Sequence, residues 1–305
     1  MSRPADFYTK VPHRVMPRGE RQTEYAPPLS DGEIFRPEPK PIPKKDALAD
    51  FVLGMVATND CLSKMDSNTN PNFIGREEEV NSVLESLLKK RMRNCVLIGD
   101  AGVGKTEIAR KAISMVKDEV FLKLDTASLA SGCTLMGQFE KKIIEILEPI
   151  SHWNQSHSKK VSLFVDEIHT LWNLGANSST GSVSAGNILK PYLSDGLITI
   201  IGATTPKEYE SSIKGDRALM RRVTPIFIAQ MPNEAVLGVL RAFCGNELSE
   251  QMIAKVLEAS SKINYLSNPD CSIEIADRLM AKALRKRKIP DDQDLEEVMK
   301  SMLAL

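Results

Sequence analysis

The chain has 305 residues with 40 basic and 40 acidic side chains, long enough for a large domain beside a smaller one and formally neutral overall. That balance gives no global attraction to nucleic acid or an anionic membrane, and no apolar run approaches the roughly 18 residues of a membrane span. Five scattered cysteines without a C-x-x-C pair, and an N-terminus without an apolar signal core, suit a cytoplasmic protein with buried thiols.

Residues 1–45 hold more than half of the prolines, including Pro27-Pro28 and the alternating Pro37, Pro39, Pro41 and Pro43. That alternation favours extended polyproline backbone and reads as a disordered or extended arm. Such an arm is a flexible tail or a tether that orders on a protein partner. Residues 46–58 are helical in pattern, and the polar run Ser63–Asn72 ends it. Val80, Val83, Leu84, Leu87 and Leu88 recur at helical spacing behind the acidic Glu77-Glu78-Glu79. The basic run Lys89–Arg93 reads first as a solvated helix end and second as a nucleic-acid patch.

The apolar Cys95–Ile98 then feeds Gly99-Asp100-Ala101-Gly102-Val103-Gly104-Lys105-Thr106, followed by a helical pattern from Glu107. This is G-x-x-x-x-G-K-[ST] in its strand–turn–helix context, a phosphate-binding loop. Its backbone N–H groups and helix dipole converge on one point. Lys105 is placed for the β- and γ-phosphates and Thr106 for Mg²⁺. Glu119–Asp125 reads as a strand, Ser128–Gly137 as a small-residue loop and Gln138–Leu147 as an amphipathic helix. His152 and His157 flank Trp153 in a polar stretch read as surface loop, without the acidic or thiol company of a metal site. A strand over Val161–Val165 ends in Asp166-Glu167, about 60 residues downstream of the phosphate loop. There Asp166 would hold Mg²⁺ through water and Glu167 would orient and deprotonate the attacking water.

Leu174–Gly186 is a Gly/Ser/Asn loop, and Asn187–Leu193 a short helix containing Pro191. Leu197–Ala203 reads as a strand buried on both faces, with Thr204-Thr205 at its ligand-side end. Arg217–Arg222 precedes a strand over Val223–Ala229, and from Pro232 the pattern is helical to the end. The fold class expected is α/β: a parallel sheet sandwiched by helices, with a C-terminal helical lid. The divisions are an arm at 1–45, a nucleotide-binding domain at 46–230 and a lid at 231–305.

Taken in order, Pro71–Arg76, the phosphate loop, Asp166–Thr170, Ala185–Pro191, Ile201–Thr205 and Ala218–Arg222 resemble the first AAA+ module of the Clp-type protein unfoldases. The resemblance spans about Asn70–Ala281. It implies an ATP- and Mg²⁺-dependent homo-oligomeric ring, usually a hexamer, acting on a protein substrate, with nucleic acid and membrane unneeded. It also implies that Ile74 and Gly75 border the adenine and that Thr205 senses the γ-phosphate. By the same match, Arg221 and Arg222 reach the next subunit's ATP. Two departures stand out. The pore-loop stretch Thr134–Glu140 carries Leu135 and Met136 where the family has an aromatic and its neighbour, and Cys271 replaces a lysine in Asn268–Glu274. With neither a recognisable second AAA+ module nor a peptidase-docking loop, a single-ring relative is expected. The alternative is a nucleotide-switched scaffold docking a partner through the proline-rich arm.

Overall fold

In the computed structural model, residues 47–66, 70, 73–131, 138–173 and 185–304 are described, all within the unit Lys45–Leu305. Helix α1 (Ala47–Thr58) leads to the three-residue strand β1 (Leu62–Lys64), and α2 (Glu77–Leu88) to β2 (Asn94–Ile98). Then follow α3 (Lys105–Met115), β3 (Glu119–Leu124), α4 (Thr126–Ala130), α5 (Gln138–Ser156) and β4 (Lys160–Val165). After α6 (Ile168–Asn173) and α7 (Ala185–Ser194) come β5 (Ile200–Thr204), the short α8 (Pro206–Glu208) and a π-helical turn at Tyr209–Ile213. Helix α9 (Arg217–Met220) precedes the last strand, β6 (Val223–Phe227). Four helices close the chain: α10 (Asn233–Cys244), α11 (Glu250–Ser260), α12 (Asp270–Lys286) and α13 (Asp292–Leu303).

The sheet runs β1-β3-β4-β5-β2-β6. Its strands pair in parallel except at the edge, where β1 lies antiparallel to β3. Side chains alternate along each strand, so β2 sends Cys95 and Leu97 to one face and Val96 and Ile98 to the other. The first face is covered by α2 and α3 through Val83, Leu87, Ile108 and Ala112. The second is covered by α1, α5, α6 and α7 through Val52, Ile146, Leu171 and Leu189. Burial on both faces explains why β2 and β5 carry no exposed residue. The C-terminal helices bury a separate apolar cluster that includes Val236, Val256, Ile275 and Met302. Among the described residues no helix is long and apolar enough to cross a membrane.

Four local expectations change. The sheet is not wholly parallel, because β1 is too short to show alternation and only Leu62 of its residues is buried. Strand β5 begins at Ile200 rather than Leu197. The N–H groups of Leu197 and Ile198 bond the Tyr192 carbonyl at 3.0 and 3.3 Å, so these residues turn before the ladder starts. The stretch from Ser128 opens as helix α4, capped by Asp125, whose carboxylate accepts from the Ala127 N–H at 3.0 Å. Helix α5 runs through Pro149 to Ser156, so His152 and Trp153 stand on a helix, not in a loop. Trp153 is stacked between Phe51 (ring centroids 4.5 Å) and His157 (3.7 Å), and its indole N–H donates to the Lys159 carbonyl. Aromatic burial on α1 thus holds the end of α5.

Gly202 sits at the centre of β5, where an added Cβ would lie 2.5 Å from Cδ1 of Ile168. Ile168 opens α6, directly after Asp166 and Glu167. Gly202→Ala should lower stability by about 1–3 kcal/mol through overpacking. Urea unfolding checks this, and an unchanged midpoint would show that α6 gives way freely.

Candidate active site

The phosphate loop leaves the C-terminal end of β2, between β5 and β6. The next strand, β3, lies two positions beyond β5, so the loop stands where the strand order reverses and side elements part. Gly102 and Gly104 take left-handed backbone, with φ of 87° and 95°. At Gly102 a Cβ would also meet the Ser267 carbonyl at 2.7 Å. The α11–α12 connection bonds the loop from that side: the Ser267 N–H donates to Ala101 O at 2.9 Å and the Asp270 N–H to Gly102 O at 3.2 Å.

Lys105 opens α3 and is 9% exposed. Its ammonium donates to the carbonyls of Gly99 (2.8 Å) and Asp100 (2.9 Å), back along its own loop. Burial pulls its pKa below the ordinary lysine value, against the opposing pull of Glu167, Asp166, Asp100 and Glu208. Asp166 follows β4 and points Oδ2 at the Thr106 hydroxyl, 3.4 Å away. Its other oxygen accepts from the Glu167 N–H at 3.1 Å. Glu167 itself has left-handed backbone, φ 48°, which is uncommon for a residue with a Cβ.

These groups line one cavity of about 370 Å³: Ala101, Gly102 and Gly104–Thr106 of the loop with Asp166 and Glu167, together with Pro269 and, from α12, Asp270 and Ile273. Burial, with Glu274 nearby, raises the Asp270 carboxyl pKa. A smaller pocket of about 80 Å³ adjoins through Gly104, Pro269 and Ile273, lined by Asn70, Phe73, Ile74, Val103, Met231 and Val239. A polar cavity joined to an apolar slot suits a phosphorylated ligand with a flat base. Two wider clefts on the C-terminal helices, about 480 and 510 Å³, gather no phosphate-binding backbone.

The structure therefore brings together the loop, Asp166, Glu167 and Ile74. Gly75 has φ 72°, and a Cβ there would lie 3.2 Å from the Ala235 Cβ; it lines neither pocket. Thr205 caps α8, accepting from the Glu208 N–H at 3.4 Å, just beyond the end of β5. Arg221 and Arg222 lie at the other end of the sheet, since β6 starts beside Asn94 while the loop follows Ile98. Arg222 bonds Ala218 O and the Ser194 hydroxyl, whereas Arg221 is exposed. Leu135 and Met136 lie outside the described residues. Cys271 is buried, its thiol toward the Ser260 carbonyl at 3.7 Å; burial raises its pKa, and Asp270 faces the cavity instead. In the basic run, Lys89, Lys90 and Arg91 are exposed, Lys89 donating to the Thr224 hydroxyl, while the half-buried Arg93 pairs with the buried Glu119.

Arg76 was not legible as a site residue. Only 4% exposed, it donates to Val103 O (3.1 Å) and Ala229 O (2.8 Å) and pairs with Glu79 at 2.7 Å. It staples the Ile74–Gly75 segment to the phosphate loop and the end of β6. The sequence clue is an arginine three residues before a glutamate at a helix start. His169 also went unread; its ring nitrogen reaches both Glu167 and Thr204.

Residues 95–228 match the family described as ATPase family associated with various cellular activities (AAA). The chain is 34% identical over 250 residues to the chaperone protein ClpB of Aquifex aeolicus (strain VF5), covering 75% of this chain and 24% of that protein. It is 35% identical over 243 residues to the ATP-dependent Clp protease ATP-binding subunit ClpE of Bacillus subtilis (strain 168), covering 73% of this chain and 33% of that one. The chain thus spans about a quarter to a third of the length of the curated relatives it matches. A cryo-EM structure of Hsp104 in its closed state with ATPγS and FITC casein superposes with a TM-score of 0.64 at 26% identity. That match covers 80% of this chain and 46% of the other.

Arg76→Ala should destabilise the chain by about 2–3 kcal/mol, because it strands Glu79 and two carbonyls near the loop. Arg76→Lys should recover only part, since one ammonium lacks the planar fork. Chemical unfolding tests both; a neutral Arg76→Ala would remove the staple.

Proposed function

The chain carries an AAA+ ATPase module of the Clp type, and from that premise we propose that it hydrolyses ATP as one subunit of a homo-oligomeric ring. The observation that carries this reading is the convergence of Lys105, Thr106, Asp166 and Glu167 on one cavity at the C-terminal ends of β2 and β4. Adenine occupies the apolar slot beside Ile74, and the phosphates lie along the loop N–H groups. Lys105 exchanges its two carbonyl partners for phosphate oxygens. Glu167 orients the attacking water and takes its proton. Thr205, beside the loop at the end of β5, reads the γ-phosphate.

The hard oxygen donors of Thr106 and Asp166, 3.4 Å apart, suit Mg²⁺ and would be the residues that hold it. Bound there, Mg²⁺ supplies charge neutralisation on the β- and γ-oxygens. Among the described residues no group of three His, Cys, Asp or Glu offers an independent metal site.

We assign Arg221 and Arg222 to a neighbouring subunit's nucleotide rather than to their own. The register sets them about 16 Å of strand from the loop. In a ring, usually a hexamer in this family, they reach the neighbouring ATP and stabilise charge on the transferring phosphoryl. Residues 46–230 are assigned to the nucleotide domain and 231–305 to the lid of a cytoplasmic protein; the arm expected at 1–45 lies outside the described residues. The work done is remodelling of a protein partner, consistent with the casein named for the Hsp104 structures. Leu135 in place of an aromatic favours a second reading, a nucleotide-switched scaffold docking through the arm, because it weakens the grip on a threaded chain.

Glu167→Gln should retain Mg-ATP binding and lose turnover by about 100-fold or more. Lys105→Ala and the Arg221→Ala/Arg222→Ala double variant should each be inactive alone. Mixed, they should regain part of the rate, because each supplies the half-site the other lacks. Phosphate-release assays of the separate and mixed proteins decide this; no recovery would argue against a shared site.

A further inference from the structure

Glu167 is poorly fixed by packing: its side chain is 51% exposed and its backbone is left-handed. A general base needs its carboxylate held within a narrow range. The group beside it is His169 on α6, whose Nδ1 lies 3.3 Å from Glu167 Oε2 and 3.0 Å from the Thr204 hydroxyl oxygen. Thr204 is fully buried at the end of β5, and its carbonyl accepts from the Gly99 N–H at 3.2 Å. A continuous path therefore runs from the first residue of the phosphate loop through Thr204 and His169 to Glu167.

We propose that His169 is a positioning residue that holds the Glu167 carboxylate through Nδ1 and links its orientation to the phosphate loop through Thr204. The chemistry of one ring nitrogen makes the link selective. As N–H, Nδ1 would donate to the Glu167 carboxylate, which it faces here at ion-pair distance. As a bare lone pair, it accepts from the Thr204 hydroxyl and repels the carboxylate instead. Glu167 is thus held in one tautomer and released in the other, and the Thr204 hydroxyl biases which is present. This assignment rests on Glu167 being the base.

The test is steady-state Mg-ATP hydrolysis by the assembled full chain carrying His169→Asn, His169→Gln or His169→Ala, with Glu167→Gln as control. Asparagine places an amide nitrogen where Nδ1 stands; glutamine places its amide nearer Nε2. Positioning through Nδ1 predicts that Ala and Gln lower kcat about tenfold with KM changed less than about twofold, while Asn keeps most of kcat. A purely structural role would not separate Asn from Gln. Thermal unfolding of each variant shows which are folded, and if His169→Ala is not, the Asn–Gln contrast decides. Equal losses in Asn and Gln, or wild-type kcat in both while Glu167→Gln is inactive, would overturn the role of His169. Turnover by Glu167→Gln would instead overturn the base assignment beneath it.

Discussion

A lysine ammonium nine-tenths buried at the start of a helix is the charge around which the site is arranged. The position is doubly unfavourable, because burial removes water and the helix N-terminus is already positive. Two loop carbonyls satisfy its hydrogens, and Asp166 and Glu167 answer part of its charge from β4. The remaining field, joined to the loop N–H groups, suits a polyanion. Lys105 holds that place because β2 is paired on both sides, by β5 and β6, and the loop is bonded by Ser267 and Asp270.

The same sheet separates two kinds of function by its length. Its C-terminal edge carries the loop, the carboxylates and the ends of β5. Its opposite edge carries Arg221 and Arg222, held by Asn94, whose amide donates to Arg222 O and accepts from the Ile200 N–H. Asp216 caps α9 in front of them through Ala218 and Leu219 and pairs with Lys190. On the proposed reading, these two arginines, set away from their own cavity, would complete a neighbour's site.

What could be read from the sequence was contiguous chemistry. Gly99–Thr106 and Asp166-Glu167 each keep their meaning in a short segment, and burial on both faces makes Cys95–Ile98 and Ile200–Ala203 unbroken apolar runs. What could not be read depends on distant pairs. Arg76 acquires its role from carbonyls at 103 and 229, and His169 from Thr204 on another strand. β1 exists only because β3 offers a free edge, and the helical state of His152 and Trp153 follows from packing on Phe51. No local pattern encodes those partners.

On the proposed reading, one chain holds only part of a working ATPase site. Specific Mg-ATPase activity, measured across chain concentration alongside sedimentation, tests it most directly. Activity per chain should rise as the ring assembles and level off when assembly is complete. Activity per chain that stays constant down to the monomer would contradict it.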